Sequence, residues 1–395
     1  MTDAKRITIK QLLDSLLAEC VALGASDIHL APGLIPHFRW QGEIRSATGR
    51  PVTSADDTRS MAAELLGRMF RHGKEVVDLD AVLAVRGSID GAMSAQDGAR
   101  FRFNVFSRQG EVSIALRHLE NRFRTLEELG MPTSLYKLCD LRDGLVVISG
   151  PTGSGKSTTL ATLLDRINRT RSGHIITIED PIEYLHTSIR CVVNQRQIGL
   201  DAPSFNDALV DSLRQDPDTI LVGEIRDLDT IRTAIVAAET GHLVFTTLHA
   251  GDCAGAVERL VSVFSANEQD GIRRQLSLVL RGIVAQNLLM ADAADRPPRT
   301  ARCVAASEIL MVTPAVANLI ATGKSAQIYS AMETGMGSDM QTLEQDLARL
   351  WMSGKISETV AVGMARNPAV LRERVALLRR DRVQPERESG GRNRR

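Results

Sequence analysis

Residues Gly150-Pro151-Thr152-Gly153-Ser154-Gly155-Lys156-Ser157 form a complete G-x-x-x-x-G-K-[ST] phosphate-binding loop. An apolar run, Leu145-Val146-Val147-Ile148, precedes it, and a helix-like run starting at Thr158 follows. That context gives the match its meaning. The glycines let backbone N–H groups close around the β- and γ-phosphates of a nucleotide, and a helix N-terminus adds a favourable dipole. Lys156 supplies a point charge and Ser157 offers a hydroxyl to Mg²⁺. A chance glycine-rich turn would not match every fixed position and both flanks. The stretch Gly150–Thr158 is therefore expected to bind a nucleoside triphosphate.

Working outward, strands and helices alternate from residue 140 onward, as in a parallel α/β sheet. Ile175-Ile176-Thr177-Ile178 runs directly into Glu179-Asp180-Pro181, with Glu183 two residues further on; Thr219-Ile220-Leu221-Val222 ends in Gly223-Glu224. Ligands of open parallel sheets sit off the carboxyl ends of the strands, so both acidic sets are delivered to the side of the phosphates. There they are suited to position a water and to hold Mg²⁺ directly or through waters. A third strand, Leu243-Val244-Phe245, is bracketed by His242 and by Thr246-Thr247-Leu248-His249. Either histidine alone is more often structural; together they are candidates for sensing the γ-phosphate or for linking neighbouring sites. The other six histidines (29, 37, 72, 118, 174, 186) show no constellation.

The first 120 residues have a different character. Leu12, Leu13, Leu16, Leu17, Cys20 and Val21 recur at helical spacing, and short alternating strands follow around Ile28–Leu30 and Phe38–Trp40. A helix is expected near 58–70 and an exposed Gly- and Ser-rich loop over 86–99. Two strict alternations, Arg100–Phe106 and Val112–Arg117, read as a hairpin. Phe101, Phe103, Val105, Val112, Ile114 and Leu116 would face a core, and Arg102 and Arg117 would share the other face. The expected organisation is a small α+β domain over 1–120, a linker with a short helix over 121–139, an α/β domain over 140–370, and a basic, disordered tail over 371–395.

At 395 residues, two domains are the natural expectation. A composition of 43% hydrophobic and 24% charged residues is that of a globular protein. Net charge is zero, but segment 371–395 holds nine arginines against four acids, so the remainder carries −5. A body of that sign, with only 4% aromatic residues, argues against nucleic-acid binding. The five cysteines (20, 139, 191, 253, 303) include no C-x-x-C pair and read as core or surface residues of a reducing compartment. No apolar run approaches the ~18–20 residues of a membrane span, so a cytoplasmic location is expected.

Four features in order — Gly150–Ser157, Glu179–Glu183, Gly223-Glu224-Ile225-Arg226 and Thr240–His249 — resemble the type II/IV secretion ATPase superfamily, specifically its PilT-like pilus-retraction ATPases. Gly24-Ala-Ser-Asp-Ile-His-Leu30, Val193-Asn-Gln-Arg196 and Gly337-Ser-Asp-Met-Gln-Thr-Leu343 are similar to that family as well, and the resemblance spans roughly residues 10–365. It implies a PAS-like N-terminal domain, a RecA-like P-loop ATPase domain with a parallel-rich twisted sheet, and a homo-hexameric ring powering pilus retraction (twitching motility) with ATP and Mg²⁺. It implies an inner-membrane platform protein as partner, a peripheral place at that membrane, and no specific nucleic acid. It also implies roles: Lys156 and Ser157 on phosphate and Mg²⁺, Glu179 as the carboxylate on the attacking water, Glu224 supporting Mg²⁺ or its water shell, His242 and His249 lining the site, and Arg102 and Arg117 reaching a neighbouring subunit's γ-phosphate.

Two departures are visible. The family's Ala-Ile-Arg-Asn-Leu-Ile motif stands here as Ala315-Val-Ala-Asn-Leu-Ile320, with Ala317 in place of the arginine, and the region 80–99 is expanded. Both leave room for an accessory pilus ATPase or a PilT-like motor of a type II/IV secretion system. The absent C-x-x-C pairs weigh against an assembly ATPase with a four-cysteine zinc insertion. The negative body weighs against a DNA motor, and the Glu179 and Glu224 pair against a switch without turnover.

Overall fold

The computed structural model describes residues 8–69, 78–119, 122–292 and 303–383. They fall into two compact units. One holds the described residues up to Arg122 together with Glu179–His186 and Gln197–Asp201; the other holds Phe123–Ile178, Thr187–Arg196 and the described residues from Ala202 onward.

The first unit opens with α1 (Ile9–Leu23), fixed by a capping box in which Thr8 and Gln11 satisfy each other's backbone N–H. Strands β1 (Asp27–Leu30), β2 (His37–Trp40) and β3 (Glu43–Ser46) follow, then α2 (Ala55–Met69), α3 (Leu79–Arg86), β4 (Ser88–Ser94), β5 (Arg100–Arg108) and β6 (Glu111–Leu119). Among the described residues they make a six-stranded sheet in the order β3-β2-β1-β6-β5-β4, with every neighbour antiparallel. Its core joins Leu13, Leu16 and Leu17 of α1 and Met61 and Leu65 of α2 to Ile28, Phe101, Phe103, Val105, Ile114 and Leu116. The alternation of the β5–β6 hairpin thus puts its apolar set inside, as the period of two requires.

One expectation fails here. The stretch 86–99 is not a loop: β4 pairs residue by residue with β5, Ser88 opposite Phe106 through Ser94 opposite Arg100. Asp90 and Gly91 disguise the strand, yet Ala92 and Met93 are buried.

The second unit enters through a 3-10 turn, Thr133–Asp140, and continues with β7 (Gly144–Ser149), α4 (Lys156–Thr170), β8 (Gly173–Glu179), β9 (Cys191–Gln197), α5 (Phe205–Ser212), β10 (Thr219–Val222), α6 (Leu228–Glu239) and β11 (Leu243–Leu248). Next come α7 (Cys253–Ser262), α8 (Ala266–Val279), β12 (Leu280–Met290), β13 (Cys303–Met311), α9 (Pro314–Ala321), α10 (Ile328–Thr334), α11 (Leu343–Met352), α12 (Glu358–Met364) and α13 (Pro368–Val383). The sheet order is β13-β12-β7-β11-β10-β8-β9 among the described residues. Neighbours from β12 to β8 are parallel, and β13 runs antiparallel to β12. This is the parallel-rich RecA-like α/β architecture. β7 is buried over its whole length, which is why its sequence reads as an unbroken apolar run.

The segment expected to be a disordered tail from residue 371 is helical over its described part, 371–383. α13 carries the chain to Val383 because Leu371 and Val375, one turn apart, pack with Leu347 and Leu350 of α11. Arg374 pairs with Glu333 at 3.7 Å, and Arg379 lies over the Trp351 ring. Residues 384–395, like His72, lie outside the described residues. Among the described residues no helix is long and apolar enough to cross a membrane.

Candidate active site

The phosphate loop leaves β7 at Ser149 and enters α4 at Lys156, two residues before the Thr158 start read from sequence. Gly150 (φ 146°) and Gly155 (φ 90°) adopt conformations that other residues rarely take, and a Cβ at either would collide with Gln286 of β12. The α4 N-cap is Gly155, without a side-chain cap, and the first turn carries no acid. A helix start with no carboxylate of its own fits an incoming anion. Pro151, Thr152, Gly153 and Ser157 are exposed, Thr158 is half-buried, and Ser154 is buried with its Oγ unpartnered among the described residues. Lys156 Nζ donates to Gly150 O at 2.9 Å and Pro151 O at 3.1 Å, so its ammonium lies against the loop that phosphates would enter. These features fit a nucleoside triphosphate.

Three hydroxyl and amide groups that sequence reasoning missed hold this loop and its neighbours. Gln286 is 3% exposed; its Nε2 donates to Ser154 O at 2.7 Å and its Oε1 accepts from Thr159 Oγ1 at 2.8 Å. Ser149 Oγ donates to Ala250 O at 2.6 Å and accepts from Ala250 N, tying the start of the loop to the residue after His249. Thr247 Oγ1 donates to Gly223 O at 2.6 Å, and Ile225 N donates to Thr247 O. The Gly223–Ile225 turn is therefore stitched to the strand that delivers His249. The side-chain partners lie between 24 and 132 residues apart in the chain, so no local pattern announces them.

Through those links Glu224 and His249 meet. His249 Nε2 lies 3.6 Å from Glu224 Oε2, and Arg226 Nε lies 2.7 Å from the same oxygen. Burial pushes the His249 pKa down, the Lys156 charge pushes it further, and Glu224 pulls the other way. The two larger effects favour the neutral imidazole, beside the lysine of the phosphate loop. Beyond it, Arg366 Nη2 pairs with the buried Glu308 at 2.7 Å and donates to Gly251 O at 3.2 Å, while Glu308 Oε1 accepts from Cys253 N. Burial raises the Glu308 pKa and Arg366 opposes the rise.

His242 goes elsewhere. It precedes the first residue of β11, where its carbonyl accepts from Gly144 N at the start of β7 and its Nδ1 lies 3.0 Å from Ala237 O. The phosphate loop leaves the other end of β7, and Leu243 pairs with Gly144 while Leu248 pairs with Ser149. Six residues at ~3.3 Å each put roughly 20 Å of strand between His242 and that end. His242 does not line this chain's phosphate loop; its place before the strand, not after it, decides the matter.

Glu179 is the last residue of β8. Within its unit, buried Arg100 donates from Nη2 to Ile182 O at 3.2 Å; burial lowers the Arg100 pKa and the Glu179 charge opposes that. Arg102 and Arg117 face each other directly across β5 and β6, as the hairpin alternation requires.

A match to the type II/IV secretion system protein family spans residues 2–312. The type IV pilus retraction ATPase PilT of Pseudomonas aeruginosa is 41% identical over 356 residues, covering 90% of this chain and 98% of that protein. A crystal structure of the pilus retraction motor PilT with bound ADP superposes with a TM-score of 0.81 at 39% identity, covering 91% of this chain and 98% of the other. The Legionella pneumophila ATPase DotB gives 0.76 at 27% identity, with 91% and 96% covered. With its phosphate loop, acidic strand ends and RecA-like sheet, the chain belongs to the type II/IV secretion system protein family, among its PilT-like ATPases.

Proposed function

We propose that the chain is an ATP-hydrolysing motor that powers type IV pilus retraction, working as a homo-hexameric ring on the cytoplasmic side of the inner membrane. The observation that carries this reading is the phosphate loop itself, set in its strained glycine conformation with Lys156 folded on it and with Glu224 and His249 held close by.

Lys156 and the backbone of Gly150–Thr158 hold the phosphates. Ser157 and Glu224 would hold Mg²⁺ or its waters, and the ion would neutralise charge developing on the phosphates. Glu179 orients the attacking water and accepts its proton; such a base contributes about 10²–10⁴ in rate. Arg102 and Arg117 of one subunit stabilise the charge on the phosphoryl group bound to the next. A trans arginine is worth about 10³–10⁵ and makes turnover depend on assembly. Closure of each subunit interface on ATP, and opening after hydrolysis, would move a membrane platform protein.

The test is phosphate release by the purified full chain with Mg-ATP. Wild type turns over, while Glu179→Gln and Arg117→Ala are each nearly inactive. Near-wild-type rates in both variants would remove these assignments. A second reading, an accessory pilus ATPase or a secretion motor, draws its support from Ala317, which stands in α9 where the family's retraction motif carries arginine.

A further inference from the structure

The motif Gly24–Leu30 has so far no task in the chemistry, and its aspartate stands in a telling place. β1 lies between β2 and β6, with Asp27 directly opposite Arg39 on one side and Arg117 on the other. Arg117 is in turn directly opposite Arg102. Directly opposed residues of an antiparallel sheet share a face. One transverse row therefore reads Arg39, Asp27, Arg117, Arg102 across four strands, three cations and a single carboxylate.

The contacts within that row are unequal. Arg117 Nε donates to Asp27 Oδ1 at 2.8 Å, whereas Arg39 Nε stands 3.8 Å from Asp27 Oδ2. Ser26 Oγ donates to Oδ2 at 2.7 Å, so the carboxylate is fixed from its other side. Asp27 is 7% exposed, but the Arg117 side chain is 67% exposed. The aspartate grips the inner edge of the guanidinium through Nε, and neither Nη1 nor Nη2 makes a hydrogen bond among the described residues. Those two nitrogens form the fork that binds a phosphoryl group bidentately. Like charges directly opposite each other destabilise a sheet; Asp90, with Oδ1 3.6 Å from Arg102 Nη2, offsets part of that cost, and an anion between the two arginines would offset more.

We propose that Asp27 is a positioning residue for Arg117: it holds the guanidinium by Nε, so that the terminal fork is presented outward, preoriented for the phosphoryl group of a nucleotide bound by another subunit. This rests on the trans-arginine reading above and gives Asp27, with Ser26 behind it, a defined part in that same site. An arginine left to rotate must be ordered at each turnover, and small misplacements cost large factors in rate.

The test is a double-mutant cycle on steady-state hydrolysis by the assembled full-length chain, with kcat and KM for Mg-ATP measured separately. Asp27→Asn should lower kcat about tenfold and leave KM within about twofold, since the nucleotide's own loop is untouched. In an Arg117→Ala background, Asp27→Asn should have no further effect. Mixing Asp27→Asn subunits with Lys156→Ala subunits should restore turnover above the summed rates of the two alone, because the second kind supplies a well-oriented arginine to the first kind's intact loop. Where Asp27→Asn does not assemble, Ser26→Ala is the milder probe, with a loss of about two- to threefold that also vanishes in the Arg117→Ala background. Additive losses in the cycle, or mixing that restores Arg117→Ala subunits but not Asp27→Asn subunits, would overturn the proposal. Wild-type turnover by Arg117→Ala would instead overturn the trans-arginine reading beneath it.

Discussion

Replacing Gln286 with methionine isolates what braces the phosphate loop. The side chains are similar in length, so the buried space stays filled, but both amide hydrogen bonds disappear. Thr159, inside α4, can redirect its hydroxyl to the carbonyl four residues back, so its loss is small. Ser154 O has no such escape: it faces a buried methionine where it had a donor at 2.7 Å. A buried acceptor left unpaired costs about 1–3 kcal/mol, and this carbonyl belongs to the loop that must wrap the phosphates. If that cost is relieved by the loop leaving its phosphate-shaped curvature, nucleotide affinity falls by the same amount, about 5- to 150-fold, with a central expectation of about thirtyfold. Titration with a fluorescent ATP analogue, alongside thermal melting without nucleotide, reads both quantities. Gln286→Glu should be worse, since a carboxylate cannot donate to Ser154 O and adds negative charge near the phosphates. Wild-type affinity in Gln286→Met, with or without a lower melting temperature, would refute the claim that Gln286 shapes the loop for nucleotide.

His249 should titrate below the ordinary histidine value of 6.5, since burial and Lys156 both favour the neutral ring, and Glu224→Gln should push it lower still by removing the charge that opposes them. A depressed histidine contributes stability present above its unfolded pKa and lost as pH falls through the folded value; an NMR titration midpoint at or above 6.5 would contradict the placement. Arg366→Ala should destabilise by about 2 kcal/mol, less than the ~3–5 of a wholly buried pair because Arg366 is partly exposed. Glu308, already raised by burial, would rise further, and a raised carboxyl carries stability that is present at low pH and lost as pH climbs through the folded value. The deficit against wild type should therefore be larger at pH 8 than at pH 5, and a pH-independent difference in melting would contradict it.

What could be read in advance follows from where the information lies. The phosphate loop is legible because its chemistry demands fixed residues at fixed spacing, and the β5–β6 hairpin because a period of two sorts phenylalanine from arginine. His242 misleads for a simple reason: nearness to a strand in sequence does not say which end of the strand faces the ligand. The polar residues of β4 concealed a strand that tertiary pairing with β5 enforces. The arginines of 372–380 outweighed the two buried apolar residues that make α13 a packed helix. Gln286, Ser149, Thr247 and Arg366 were out of reach altogether, since each acts on a partner at least 24 residues away.

Mechanical work in the retracting direction is tested most directly by surface pilin and twitching after deletion of the gene in its own host, with complementation by wild type and by Glu179→Gln. A retraction motor leaves, on deletion, abundant pili that do not retract and lost twitching, restored by wild type but not by Glu179→Gln. Cells without pili, or pili and motility unchanged by the deletion, would contradict that reading.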